Sequence, residues 1–133
     1  MKISKFLIII SSCIFLTACK TNKFCFDINE QKIVSDAYLS KIIVRDLTTE
    51  DIIVIKKKPG NYRSKEFYFH SFDTINYSYS KDYLRNIKIK NMVLRPNSSY
   101  EIINASIGDA SDYTIKISTD SSSVIIKSDC FIE

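Results

Sequence analysis

Residues 94–104 read LRPNSSYEIIN and give the clearest indication of the fold. A proline turn leads into a segment in which Tyr100, Ile102 and Asn104 alternate with other residues, and alternation with a period of two is typical of a half-buried strand. Residues 108–119 follow with GDASDYTIKIST, a polar turn and a second alternating run. These two segments together predict a pair of antiparallel strands joined by a short loop.

The same kind of pattern extends outward through the chain. Short runs rich in β-branched and aromatic residues are separated by Asn, Asp, Ser, Pro or Gly, which is typical of an all-β sandwich or barrel. One helical turn is predicted at 79–85 from the spacing of its aromatic and leucine side chains. The predicted strand runs are 24–28, 39–44, 52–55, 67–69, 87–91, 100–104, 113–118 and 124–126.

The spacing of Leu94, Pro96 and Tyr100 resembles the corner between strands E and F of fibronectin type III domains. The resemblance extends to Thr119 and implies that the Tyr100 hydroxyl returns to the backbone across the corner while its ring enters the core. It predicts an immunoglobulin-like antiparallel β-sandwich. The chain departs from that family in having no tryptophan, and any antiparallel sheet with a proline turn is the alternative.

The N-terminus has the pattern of a secretory signal. A basic start with Lys2 and Lys5 precedes an apolar run that is too short to span a membrane. The segment 16–19, Leu-Thr-Ala-Cys, resembles a bacterial lipobox, which implies cleavage before Cys19 and a lipid on its sulfur. The predicted organisation is a signal peptide at 1–18, a short tether at 19–23 and one β-sandwich domain at 24–133. The alternative is an ordinary signal peptide in which Cys19 is incidental.

Size and charge limit the classes of partner. Removing residues 1–18 from 133 leaves 115, enough for one domain with its own core. The lost segment carries Lys2 and Lys5, so 17 of the 19 basic side chains remain against 15 acidic ones. No basic stripe of the kind that binds nucleic acid is visible. The lysines of 56–58 precede Pro59 and Gly60, which predicts a solvated hairpin tip.

Two cysteines, Cys25 and Cys130, remain near the ends of the mature chain. Thiols outside the cytoplasm tend to be oxidised, so we expect a disulfide between them that ties the first strand to the last. Free thiols or an intermolecular bond are the alternatives. Because the cysteines form no CxxC pair, the sequence supports neither a redox motif nor a zinc motif.

Catalytic and metal-binding patterns are missing from the sequence. His70 is the single histidine, no Gly-x-Ser-x-Gly elbow accompanies a serine, and no glycine-rich phosphate loop occurs. Asp109 and Asp112 are explained as turn caps. We therefore expect no enzyme, no catalytic residues, no metal or other cofactor and no small-molecule substrate.

Half of the 16 aromatic residues fall between Tyr62 and Tyr83. Tyrosine and arginine are enriched at protein–protein contacts, whereas the competing explanation is that these rings fill the core. The phenylalanines are assigned to the core. The predicted partner-binding residues are Tyr77, Tyr79, Tyr83, Arg63 and Arg85.

The overall plan resembles that of small periplasmic immunity lipoproteins associated with type VI secretion. The features that carry the resemblance are Cys19, the pair Cys25-Phe26, the Leu94/Pro96/Tyr100 corner and Cys130. It implies a lipid-anchored protein that neutralises a protein toxin by covering it. An aspartate directly after the lipidated cysteine would resemble an inner-membrane retention signal. This position is occupied by Lys20, and the absence of aspartate favours the outer membrane, facing the periplasm. The alternative is a general structural or binding lipoprotein of the cell envelope.

Overall fold

The computed structural model describes residues 21–82, 85, 87–89, 92–108 and 110–132. The predicted signal peptide, the predicted lipidation site Cys19 and the predicted contact residue Tyr83 lie outside these residues. The described part of the chain forms strands and turns without helices. It accordingly contains no helix that is long and apolar enough to cross a membrane.

Eleven strands are described, and they form two sheets. In the smaller sheet the strand order is β11-β1-β2-β5, and in the larger it is β10-β9-β8-β3-β4-β6-β7. In chain order the strands are β1 (Phe24–Asp27), β2 (Lys32–Ser35), β3 (Lys41–Asp46), β4 (Ile52–Lys57), β5 (Glu66–Tyr68), β6 (Tyr77–Lys81), β7 (Ile87–Lys88), β8 (Ser99–Asn104), β9 (Tyr113–Thr119), β10 (Ile125–Ser128) and β11 (Phe131–Ile132).

The predicted fold class is confirmed: the chain is an all-β sandwich whose strand pairs are antiparallel apart from β1 with β11. The corner strand β8 lies between β9 and β3, as strand F lies between G and C in immunoglobulin-like domains. The order β1-β2-β5 likewise matches A-B-E. The chain then differs from that pattern, because β5 is followed by β6, which returns to the larger sheet beside β4.

Apolar side chains from both sheets fill the space between them. Strand alternation places one face of each strand inward, so Phe26 and Ile33 of the smaller sheet oppose residues such as Ile102 of the larger. Aromatic rings of the two sheets contact each other edge to face: the ring centroids of Phe24 and Tyr113 lie 5.8 Å apart. The most completely buried apolar side chains are Phe24, Phe26, Ile33, Leu39, Ile42, Val44, Ile55, Ile102, Ile115, Ile117 and Ile125.

The predicted disulfide between Cys25 and Cys130 is present, with the two Cα atoms 4.9 Å apart. Cys25 lies in β1, and Cys130 immediately precedes β11. The backbone N–H of Phe26 donates to the Cys130 carbonyl at 2.9 Å, so a hydrogen bond accompanies the covalent link. The two ends of the domain are therefore joined within the smaller sheet.

The corner is built as the fibronectin resemblance implied. The Tyr100 ring is buried, and its hydroxyl oxygen accepts a hydrogen bond of 2.6 Å from the backbone N–H of Arg95. Thr119 holds the same turn, because its hydroxyl donates to the Arg95 carbonyl at 2.6 Å and accepts from the Ser98 N–H at 3.0 Å. Leu94 is buried beside it, whereas Pro96 is exposed at the turn.

Two local predictions were wrong. The helical turn predicted from residue 79 is not formed there, because Tyr79 belongs to β6 and pairs with Ile55 of β4. The lysines of 56–58 do not form a hairpin tip. Two of them end β4, and the chain then crosses from the larger sheet to β5 in the smaller one.

Candidate functional site

Two of the three tyrosines predicted to contact a partner, Tyr77 and Tyr79, are buried. Tyr77 and Tyr79 are 2% and 4% exposed, because alternation along β6 turns both rings toward the core. Burial raises the pKa of the Tyr79 hydroxyl to about 12 and also raises the pKa of Tyr77. The prediction that these two side chains contact a partner was therefore wrong.

The two predicted arginines are exposed but lie far from each other. Arg63 lies near the start of β5, with its guanidinium carbon 5.7 Å from the centroid of the Tyr38 ring. Arg85 follows the opposite end of β6, with its Nε 3.7 Å from an Asp82 carboxylate oxygen. The structure does not bring Arg63 and Arg85 together into one site.

Asn22 fixes the place where the chain enters the sandwich. Although it falls in the predicted tether, it is buried. Its side-chain Nδ2 donates to the carbonyls of Ile107 (3.1 Å) and Ser111 (3.2 Å), and its Oδ1 accepts from the Ile107 N–H at 2.9 Å. The Asn22 carbonyl accepts from Nδ2 of the buried Asn104 at 2.9 Å. We call this end of the sandwich the latch end.

An open apolar cavity of about 380 Å³ lies at the other end of the sandwich. It forms where the β1–β2 turn, the end of β5, the segment before β8 and the β9–β10 turn meet. We call it the distal groove. Its lining residues are Gln31, Phe69, His70, Phe72, Met92, Val93, Leu94, Ser122, Ser123, Val124 and Ile125.

Two valines form exposed apolar walls of the distal groove. Val93 is 68% and Val124 is 43% exposed, although both carry side chains that usually avoid water. Beneath them, Phe69 and Ile125 belong to the core. Apolar side chains exposed around a concavity are a common feature of surfaces that bind other molecules.

Hydrogen bonds hold the groove in shape. Nε2 of Gln31 donates to the carbonyl of Ile125 at 2.8 Å, while its Oε1 accepts from the N–H of the same residue at 2.9 Å. The Asp120 carboxylate accepts from the N–H groups of Ser122 (2.8 Å) and Val124 (3.0 Å). The β1–β2 turn and the β9–β10 turn are thus fixed before any ligand arrives, which lowers the entropy cost of binding.

His70 is the one titratable side chain among the described residues that line the distal groove. His70 is exposed at its margin with its ring 5.5 Å from that of Tyr68, and the described lining carries no aspartate or glutamate to orient it. In a Ser-His-Asp triad such a carboxylate orients the histidine. Within the described ranges, no group of three or more His, Cys, Asp or Glu side chains could hold a metal ion.

A smaller cavity of about 200 Å³ beside the Tyr100 corner contains charged side chains that are paired with one another. Arg95 lies 3.4 Å from a carboxylate oxygen of Asp51, and Lys81 lies 2.9 Å from the other. The hydrogen bond from Lys81 lowers the pKa of Asp51. Because these charges satisfy each other, we assign this cluster to the stability of the corner.

The sequence did not predict Val93 or Val124 as contact residues, because Val93 lies between the apolar Met92 and Leu94 and Val124 begins a run that was predicted as a strand. Only the folded chain brings them to one groove, so no local pattern could have found them. No protein-family model, curated protein or solved structure matches the chain. The candidate site therefore rests on its own geometry.

Proposed function

We propose that this chain is a membrane-anchored lipoprotein of the bacterial cell envelope that binds and neutralises a protein toxin without catalysis. The observation that carries the proposal is the distal groove, a preformed apolar concavity with exposed Val93 and Val124 at its walls. Covering the active or docking surface of a toxin requires shape and apolar area but no reacting groups.

The position of the groove supports this role. Asn22 enters the sandwich at the latch end, three residues after the lipobox cysteine Cys19. The strands between the two ends have up to seven residues, which corresponds to roughly 20 Å. A lipid on Cys19 would hold the latch end near the membrane and leave the distal groove turned toward an incoming partner.

A survival assay tests the proposal. The reading frame adjacent to the gene is expressed in the periplasm with this lipoprotein, without it, or with its Cys19→Ser variant. We expect wild-type lipoprotein to restore survival and the variant to lose both palmitate labelling and membrane attachment. Killing that wild-type lipoprotein does not reverse would contradict the neutralising role.

A second candidate, a structural subunit of the envelope, is favoured by one observation. The edge strand β11 exposes Phe131 and Ile132, and an exposed apolar edge strand is a surface on which another chain can pair. Stable association with envelope proteins in cells that contain no toxin would favour this alternative.

A further inference from the structure

We propose that the latch end of the sandwich docks directly on an anionic phospholipid surface, so that the anchored domain has a fixed orientation on the membrane. The inference deepens the proposed function and rests on lipidation of Cys19. It is carried by three observations, which are the charge of this end, its exposed aromatic and aliphatic side chains, and the position of Asn22.

Backbone contacts define which residues share the latch end. Ser40 donates its N–H to the Ser106 hydroxyl at 2.8 Å and accepts from the Lys57 N–H at 2.8 Å. The neighbouring Leu39 N–H donates to the Ser64 carbonyl at 2.8 Å, which places the 58–65 segment here as well. The Lys23 carbonyl accepts from the Asp36 N–H, so the segment that follows Asn22 lies on the same surface.

Positive charge predominates at the latch end. Among its described residues seven cations stand against four acids, although the mature chain as a whole is close to neutral. The cations are Lys23, Lys41, Lys56, Lys57, Lys58, Arg63 and Lys65, and the acids are Asp36, Glu66, Asp73 and Asp112.

The Lys57 and Lys32 ammonium groups differ in what they bind. The Lys57 ammonium donates to the neutral carbonyls of Lys58 and Gly60, each at 3.1 Å, so its charge is not neutralised. By contrast, the Lys32 ammonium, near the β1–β2 turn, lies 2.6 Å from Glu30 and 3.0 Å from Glu66. Although the net charge of the mature chain is close to zero, its charges are therefore unevenly distributed over the domain.

Side chains suited to a membrane interface accompany these cations. Tyr38 is 51% exposed, with Arg63 and Lys65 both within 6 Å of its ring centroid. Tyr62 is also exposed, and Ile75 is 85% exposed in the segment that contacts Lys58. Tyrosine rings favour the headgroup region of a bilayer, where basic side chains attract anionic lipids.

The short segment from Cys19 to Asn22 would leave the domain little freedom to move relative to a lipid on Cys19. Two residues lie between Cys19 and the buried Asn22, and the three residue steps from Cys19 to Asn22 span only about 10–11 Å in an extended chain. A lipid inserted at Cys19 would therefore bring the basic, tyrosine-bearing surface within a Debye length or so of the headgroups, about 10 Å at 0.1 M salt.

Single tryptophan probes can test this orientation, because the natural chain contains no tryptophan. The full-length lipoprotein is purified with Tyr62→Trp at the latch end or Val124→Trp at the distal groove. Each is reconstituted into brominated phosphatidylcholine vesicles with or without phosphatidylglycerol. We expect quenching and a blue shift for Tyr62→Trp only with phosphatidylglycerol, and neither for Val124→Trp.

Charge variants give the matched comparison. Arg63→Ser with Lys65→Ser should lower the ratio of docked to undocked protein by roughly fivefold for each cation, hence about 25-fold together. Lys88→Ser with Lys127→Ser makes the same change of net charge elsewhere and should leave the ratio unaltered. Raising the salt to about 1 M should release the wild-type domain while its lipid stays inserted.

Equal quenching of the two probes, or quenching that does not depend on phosphatidylglycerol, would overturn the proposal. Full docking of the variant with Arg63→Ser and Lys65→Ser would also overturn the proposal. These outcomes are independent of the survival assay, because a domain that moves freely on its tether could still neutralise a toxin. Failure of docking can thus be told apart from failure of the proposed function.

Discussion

Asn22 and Ile107 are joined at two points: the Asn22 Nδ2 donates to the Ile107 carbonyl at 3.1 Å, and the Ile107 N–H donates to the Asn22 Oδ1 at 2.9 Å. The Asn22 side-chain amide bonds both the C=O and the N–H of Ile107, as the backbone of a neighbouring strand would do in a β-sheet. These two hydrogen bonds, the Asn22 clamp, make residue 22 part of the folded domain.

Replacing Asn22 by alanine should lower the free energy of unfolding by about 2 kcal/mol, because buried backbone groups of Ile107 and Ser111 lose their partners. Urea unfolding followed by circular dichroism measures the change. Thr21→Ala, at the exposed neighbour, is the control and should have little effect. Equal unfolding midpoints for the Asn22 variant and wild type would contradict the clamp.

Two buried tyrosines allow a matched test of the corner. Tyr100→Phe removes the acceptor of the Arg95 N–H and should cost roughly 1–2 kcal/mol of stability. The Tyr79 hydroxyl lies beside the backbone of Asp73 but makes no hydrogen bond to any described residue. Tyr79→Phe should therefore be neutral or slightly stabilising in the same urea titration. A larger loss for Tyr79→Phe than for Tyr100→Phe would refute the assignment.

The disulfide should be a major source of stability, because the bonded cysteines are separated by 105 residues in sequence. For a loop of this length the chain-entropy model gives about 4–5 kcal/mol. Cys25→Ala combined with Cys130→Ala should lower the free energy of unfolding by that order. Comparing wild-type unfolding with and without a reductant provides the control, and identical curves would show that the bond contributes nothing.

Stability should fall in alkaline solution. Burial raises the pKa of Tyr77, Tyr79 and Tyr100, so the native state holds these protons at a pH where the unfolded chain has released them. The contribution is complete below the unfolded pKa of about 10 and is lost as pH rises toward about 12. Urea midpoints measured across this interval should decrease, and Tyr79→Phe should lessen the decrease. A midpoint independent of pH would argue against buried, protonated hydroxyls.

Local patterns predicted those parts of the fold that depend on local chemistry. The alternation from Tyr100 to Asn104 and the Leu94/Pro96/Tyr100 spacing predicted β8 and its corner, because both are properties of a short segment. The pairing of Cys25 with Cys130 was predicted since no other cysteines remain in the mature domain beyond the lipobox residue.

The errors concern which face of a strand meets which neighbour. Tyr77 and Tyr79 alternate with serines, so they share one face of β6, but only its pairing with β4 determines that this face is buried. The polar surroundings of these tyrosines suggested exposure instead. In the same way, the summed charge concealed the basic latch end, because the distribution of charge depends on the fold.

The central claim is that the distal groove is the surface that covers a toxin. In the survival assay, Val124→Asp would place a charge on the groove wall, whereas Ile126→Asp changes an exposed side chain of β10 that does not line it. We predict that Val124→Asp abolishes protection at an unaltered unfolding midpoint and that Ile126→Asp protects as well as wild type. Full protection by a folded Val124→Asp variant would contradict the account.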